Sequence, residues 1–121
     1  MDYPKLLSRL RRKPRVNGYV SPETETRSSP IHGLGLFAKM DLQKGALVAA
    51  WGGRMKTGAE LRALPEHISF NYALRIGPDL YLAETSDAEL DAADFINHSC
   101  EANCRIENVL VMVTKRKVRK G

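Results

Sequence analysis

Asp94-Phe95-Ile96-Asn97-His98-Ser99-Cys100-Glu101-Ala102-Asn103-Cys104 is the stretch whose reading decides the fold. An apolar pair, Phe95-Ile96, runs into Asn97-His98-Ser99-Cys100, four small or polar side chains that can all form hydrogen bonds. Such groups follow a hydrophobic lead-in when they are held at a site. On these residues alone three chemistries compete. A Ser or Cys nucleophile beside His98 lacks a third partner, and neighbours in a chain rarely point at one another. A metal site of His98, Cys100 and Cys104 has three ligands, whereas structural zinc takes four. Buried structural polar groups are the plain alternative for Asn97 and His98.

Outward from this stretch the chain is short and uneven in charge. Its 121 residues make one domain, with 43% hydrophobic and 27% charged residues, as in a soluble globular protein. No apolar run approaches the roughly 18 residues of a membrane span. The basic N-terminus lacks the apolar stretch of a signal peptide, so no export is expected. Cys100 and Cys104 make no disulfide framework, and reduced thiols are the expectation. The net charge is +5, yet residues 1–16 hold six Lys or Arg and residues 115–120 hold five. Residues 79–101 hold seven acids and no Lys or Arg. The basic ends suggest weak contact with nucleic acid, and an acidic central surface would attract a Lys-rich partner.

Periodicity places the elements. Residues 3–12 predict a short amphipathic helix with Leu6, Leu7 and Leu10 on one side, stopped by Pro14. Residues 17–31 read as an irregular or edge-strand approach. Gly45–Trp51 predicts a buried strand, and Thr57-Gly58-Ala59-Glu60 fits a capping box. Phe70 to Ile76 alternates, with Phe70, Tyr72, Leu74 and Ile76 on one face, and a hairpin returns through Leu80–Ala83. Residues 87–96 suggest a helical turn. Ile106–Thr114 reads as one strand. The division is a basic extension over 1–19 and a mostly-β domain over 20–121.

Gly33-Leu34-Gly35-Leu36-Phe37-Ala38 matches the spacing of a dinucleotide loop. No hydrophobic strand precedes it and no helix of useful length follows, so that reading fails. A tight turn between strands remains, and the glycines permit a ligand close to the backbone.

Taken together and in order, Gly33-Leu34-Gly35-Leu36-Phe37-Ala38, Lys44-Gly45-Ala46-Leu47-Val48 and Phe95-Ile96-Asn97-His98-Ser99-Cys100-Glu101-Ala102-Asn103 resemble the SET domain of protein-lysine methyltransferases. Trp51-Gly52-Gly53 looks like that family's aromatic-x-Gly at a strand end, and the resemblance covers roughly residues 20–121. It implies a mostly-β, SET-domain-like β-clip fold of short strands with one or two short helices. It also implies S-adenosyl-L-methionine as cofactor and a lysine in a basic protein or peptide as substrate. By the matching motifs, His32, Gly33 and Leu34 would lie along the methionine end of the cofactor. Tyr72 would cover it, and Asn97 and His98 would hold its amino acid and adenine parts. The reaction implied is in-line methyl transfer to a neutral lysine amine.

In the family an acidic pair and a strand reaching a catalytic tyrosine follow the final Lys-Gly. Here the chain ends at Gly121, and Tyr3, Tyr19, Tyr72 and Tyr81 lie elsewhere in the pattern. The catalytic residue is therefore expected beyond Gly121, with the knot incomplete. A non-catalytic module that binds a basic peptide or the cofactor is the alternative. The cysteine clusters that carry zinc in many members are absent, so no metal is expected. A domain without such flanks resembles bacterial or viral members, which implies a cytoplasmic location, or a nuclear one in a eukaryote.

Overall fold

The computed structural model describes residues 3–108 and 110–121. Helix α1 covers Tyr3–Arg12. Pro4 falls in its first turn, where a missing N–H costs nothing, and Pro14 lies just past its last turn. Leu6 and Leu10, one helical turn apart, are both buried.

Among the described residues nine short strands follow, all paired antiparallel: β1 (Tyr19–Val20), β2 (Thr24–Ser28), β3 (Leu34–Ala38), β4 (Leu47–Ala50), β5 (Arg54–Lys56), β6 (Ala73–Gly77), β7 (Leu80–Ala83), β8 (Cys104–Glu107) and β9 (Val111–Thr114). They form a four-stranded sheet in the order β1-β4-β9-β8, a hairpin of β2 and β3, and a three-stranded sheet in the order β5-β7-β6. Helix α2 (Gly58–Arg62) carries the anticipated cap, with Thr57 Oγ1 accepting from the Glu60 N–H and the Glu60 carboxylate accepting from the Thr57 N–H. Two 3₁₀ turns, Asp87–Glu89 and Ala92–Phe95, occupy the acidic stretch. The architecture is mostly β, as the resemblance implied.

The edge-strand reading of residues 17–31 holds for β2, which pairs with β3 along its whole length from Thr24↔Ala38 to Ser28↔Leu34. Three other local expectations change. Gly33-to-Ala38 is therefore mainly strand, and only Gly33, at φ 45°, serves the turn. The alternation over 70–76 yields a strand only from Ala73. Before it, Ile68 and Ser69 both donate to the Pro65 carbonyl, and Asn71 donates to the Ile68 carbonyl, closing the chain into consecutive turns. Ile106–Thr114 is not one strand but parts of two. Asn108 at φ 50° turns the chain, so that Ile106 pairs with Met112 and Glu107 with Val111. Asn tolerates that conformation, and a run of β-formers hid the turn; Val109 lies outside the described residues.

The core consists of two clusters. Leu6, Leu10, Leu34, Leu90 and Phe95 form one, with Leu7 and Tyr72 packed on it. Val20, Val48, Ala49, Ala92 and Ala93 form the other, with Trp51, Ile96 and Met112 against it. The segment Leu90–Phe95 sends side chains into both, which fixes the start of the Asn-His-Ser-Cys string. The Trp51 indole N–H donates to the Ala93 carbonyl at 3.3 Å and holds the same segment from the sheet side.

Candidate functional site

Asn97 joins the two motifs of the sequence. Its side-chain amide donates to Ser29 Oγ at 3.2 Å and to the Leu34 carbonyl at 3.3 Å, with the His32 carbonyl at 3.5 Å. The 32–34 turn is thus tied to a segment far along the chain. Gly35 makes the approach possible: a Cβ there would stand 3.2 Å from the Asn97 amide nitrogen and 3.2 Å from the Phe37 ring. Neighbours would have to yield to admit even a methyl group.

Beside this contact lies a cavity of about 590 Å³ walled by His32, Leu34, Tyr72, Asp94, Phe95 and Asn97, with His67 and Asn71 at its side. Tyr72 is aimed by packing and backbone. Its ring stands 5.8 Å from that of Phe95, tilted by 56°, and its carbonyl accepts from the Glu84 N–H at 3.2 Å. Both rings sit over the cluster of Leu6, Leu10, Leu34 and Leu90, so one wall of the cavity rests on helix α1. A second cavity, of about 380 Å³, shares Asn71, Tyr72, Asp94, Ile96 and Asn97 with the first and continues to Trp51, Leu74, Leu82, Ile106 and Met112.

Four of the six residues singled out by resemblance, His32, Leu34, Tyr72 and Asn97, therefore line one cavity. Gly33 shapes the turn without lining it. His98 is exposed, lines the second cavity rather than the first, and stands 3.8 Å from Cys100 Sγ. Among the described residues no group of three or more His, Cys, Asp or Glu side chains is placed to hold a metal ion. Burial pushes the Cys104 thiol pKa up, away from reactive thiolate.

The acidic stretch departs most from its sequence reading. Rather than a uniformly acidic surface, Glu84 and Asp91 are buried and Asp94 is half-buried. The Asp91 carboxylate accepts from the Val16 and Asn17 N–H groups, the second at 3.0 Å. Glu84 Oε2 accepts from the Asn17 amide at 3.1 Å, and Asp94 Oδ2 accepts from the Asp91 N–H at 2.7 Å. Desolvation, then the charges of Asp94 and Asp91, push Glu84 up to about 8. Desolvation, opposed by the hydrogen bond from Asp91, pushes Asp94 up to about 7. Asp94 lines both cavities. Sequence reasoning passed over it among seven acids; its position three residues before Asn97, next to the buried Phe95, was the available signal.

The cavity's volume lies in the range of small-molecule sites, its walls are mixed polar and apolar, and its ionisable wall groups are His32, His67, Tyr72 and Asp94. Short antiparallel strands thus carry a cavity where the turn of residues 32–34 meets Asn97. Residues 33–121 match the family model described as the SET domain, and the chain belongs to that family. A similar curated protein is the histone-lysine N-methyltransferase, H3 lysine-4 specific, of Schizosaccharomyces pombe (strain 972 / ATCC 24843). It is 35% identical over 95 residues, which cover 74% of this chain and 10% of the relative. The chain thus spans about a tenth of that relative's length.

Proposed function

We propose that this domain transfers a methyl group from S-adenosyl-L-methionine to the side-chain amine of a lysine in a basic protein. The observation that carries the reading is the bond network of Asn97 to the 32–34 turn beside the cavity of Tyr72 and Asp94. The family match and the lysine specificity in the relative's name support it. A histone H3 tail is the first substrate to test.

In this reading His32, Leu34, Tyr72 and Asn97 hold the cofactor, and Gly33 presents the backbone of the turn. The cofactor supplies an electrophilic methyl group on a sulfonium. Tyr72, Leu34 and Phe95 exclude water from one side, and the Asp94 carboxyl, pushed up to about 7 by burial, is the acidic group on the wall. The lysine must be neutral to react, and the apolar second cavity, lined by Trp51, Leu74, Leu82 and Met112, favours loss of its proton. Orientation and exclusion of water contribute most of the acceleration.

Calorimetry with the cofactor tests the site. Asn97→Ala removes the donor that fixes the turn, and the cofactor Kd is expected to rise about tenfold or more. Unchanged affinity would exclude Asn97 from the site. A labelled-methyl assay on histone H3 then separates transfer from binding alone. Tyr19 pairs with Ala50 in the sheet and the Tyr81 ring packs on Phe70 at 5.4 Å, so neither lines the first cavity. The alternative reading is a cofactor- or peptide-binding module. Binding without turnover would establish it.

A further inference from the structure

The last eight residues do not project as a basic tail. They run antiparallel beside residues 38–45, with the Gly45 N–H donating to the Thr114 carbonyl at 2.9 Å and the Gly121 N–H to the Ala38 carbonyl at 2.9 Å. Between these ends Leu42 and Val118 exchange two backbone bonds, at 2.7 and 2.8 Å. Leu42 is buried and Val118 half-buried, so this ribbon has an inner side and an outer side. Lys39, Lys44, Lys115, Arg116, Lys117, Arg119 and Lys120 are all exposed along it, and Asp41 is its one acid. Seven cations less one anion leave +6 on two paired segments. Asp41 responds to that field. The Lys120 N–H at 2.9 Å, with Lys117 and Arg119 nearby, holds its carboxyl below the usual range.

The N-terminal basic run joins the same face. Lys39 donates its N–H to the Glu23 carbonyl, and Arg11 donates its Nε–H to the Thr26 carbonyl at 3.2 Å. Arg11 and Lys39 line a common cavity of about 320 Å³ between α1 and the β2–β3 hairpin. Arg12, Lys13 and Arg15 continue from Arg11 and are exposed. Of the acids nearby, Glu25 is paired with Arg27 at 3.2 Å and Glu23 is exposed. Arg11, at the end of helix α1, thus reaches the start of the ribbon at Lys39.

We propose that this face, the ribbon of residues 38–45 and 114–121 with the end of helix α1, binds the phosphate backbone of double-stranded nucleic acid without reading its sequence. Neither ribbon segment contains Phe, Tyr or Trp, so it offers charge but no stacking platform for unpaired bases. The seven exposed cations spread along the two paired segments can meet several successive phosphates. The cavity of Tyr72 and Asp94 contains none of these ribbon residues, whereas a further cavity of about 330 Å³ joins Ala38, Leu42 and Val118 to Asn97, His98 and Glu101.

The test is fluorescence anisotropy of a duplex of about 20 base pairs with the 121-residue chain, without cofactor, between about 50 and about 200 mM salt. Neutralising about four or five phosphates gives a slope of log K against log salt near about −4, and shuffled duplexes bind within about twofold. Lys39→Glu with Arg116→Glu and Arg119→Glu is expected to weaken binding at least about tenfold. It also flattens the slope by about one for each phosphate that is no longer neutralised. These side chains are exposed, and Lys117 and Lys120, which hold Asp41, are left in place. The midpoint of thermal unfolding checks that the triple variant is folded. Arg62→Glu with Arg75→Glu, on helix α2 and strand β6, leaves both quantities unchanged. Three results would overturn the proposal: no binding at the lowest salt, equal binding by the folded triple variant, or equal affinity for polyglutamate of matched charge.

Discussion

Glu84, Asp91 and Asp94 show how single residues constrain this site. Three carboxyls are withdrawn from water together, and their hydrogen-bond donors are backbone N–H groups and the Asn17 amide. Charge is costly there, so Glu84 and Asp94 are pushed up to about 8 and about 7. The consequence for stability has a definite sign. The unfolded chain releases these protons near ordinary carboxyl values, 4.5 for Glu and 3.8 for Asp, while the folded chain keeps them. The folded state therefore binds more protons, and stability falls as pH rises from about 4 to about 8. Replacing Glu84 by Gln removes one such group and keeps an oxygen for Asn17. The variant is expected to gain on the order of 1 kcal/mol over the parent at about pH 8, after allowance for solvent screening, and nothing near about pH 4. Thermal unfolding at both pH values reads this; an equal shift at both would show that ionisation is not the cause.

At the scale of elements, helix α1 is the informative case. Its sequence alone predicts an amphipathic helix, and its place in the molecule is set by Leu6 and Leu10 against Leu34, Leu90 and Phe95. Arg9 fastens it further, donating to the Leu90 carbonyl at 2.8 Å and the Asp87 carbonyl at 3.2 Å. The chain after it is latched by Ala92, whose N–H donates to the Pro14 carbonyl at 2.8 Å. Leu10 is 1% exposed, so truncation to Ala leaves a cavity under Leu34 and Phe95. Leu10→Ala is expected to cost about 3 kcal/mol in denaturant unfolding. A cost under about 1 kcal/mol would mean that the site collapses freely around the vacated space.

For the whole molecule the arrangement implies one cooperative unit. Leu90–Phe95 supplies residues to both core clusters, so neither can loosen without the other. Trp51 reports on one cluster through its bond to Ala93, and the α1 signal in far-ultraviolet circular dichroism reports on the other. Unfolding followed by tryptophan fluorescence and by circular dichroism is expected to coincide. Separate transitions would show that α1 and its cluster form an independent unit.

Much of this protein was legible in its sequence, because local rules decide it. The helix over residues 3–12, the Thr57 cap, the hairpin at Gly77-Pro78-Asp79 and the strand after Gly45 follow from period, capping and turn chemistry. The spacing of Gly33-Leu34-Gly35 and Asn97-His98 marked two motifs that belong together. What those rules could not reach was decided by tertiary structure. The turn at Asn108, the turns before Ala73, the inward rotation of Glu84, Asp91 and Asp94, and the pairing of residues 38–45 with 114–121 all depend on partners distant in the chain. A carboxylate has the same identity on a surface and beneath one. Its environment, and so its charge, is set by what the fold packs against it.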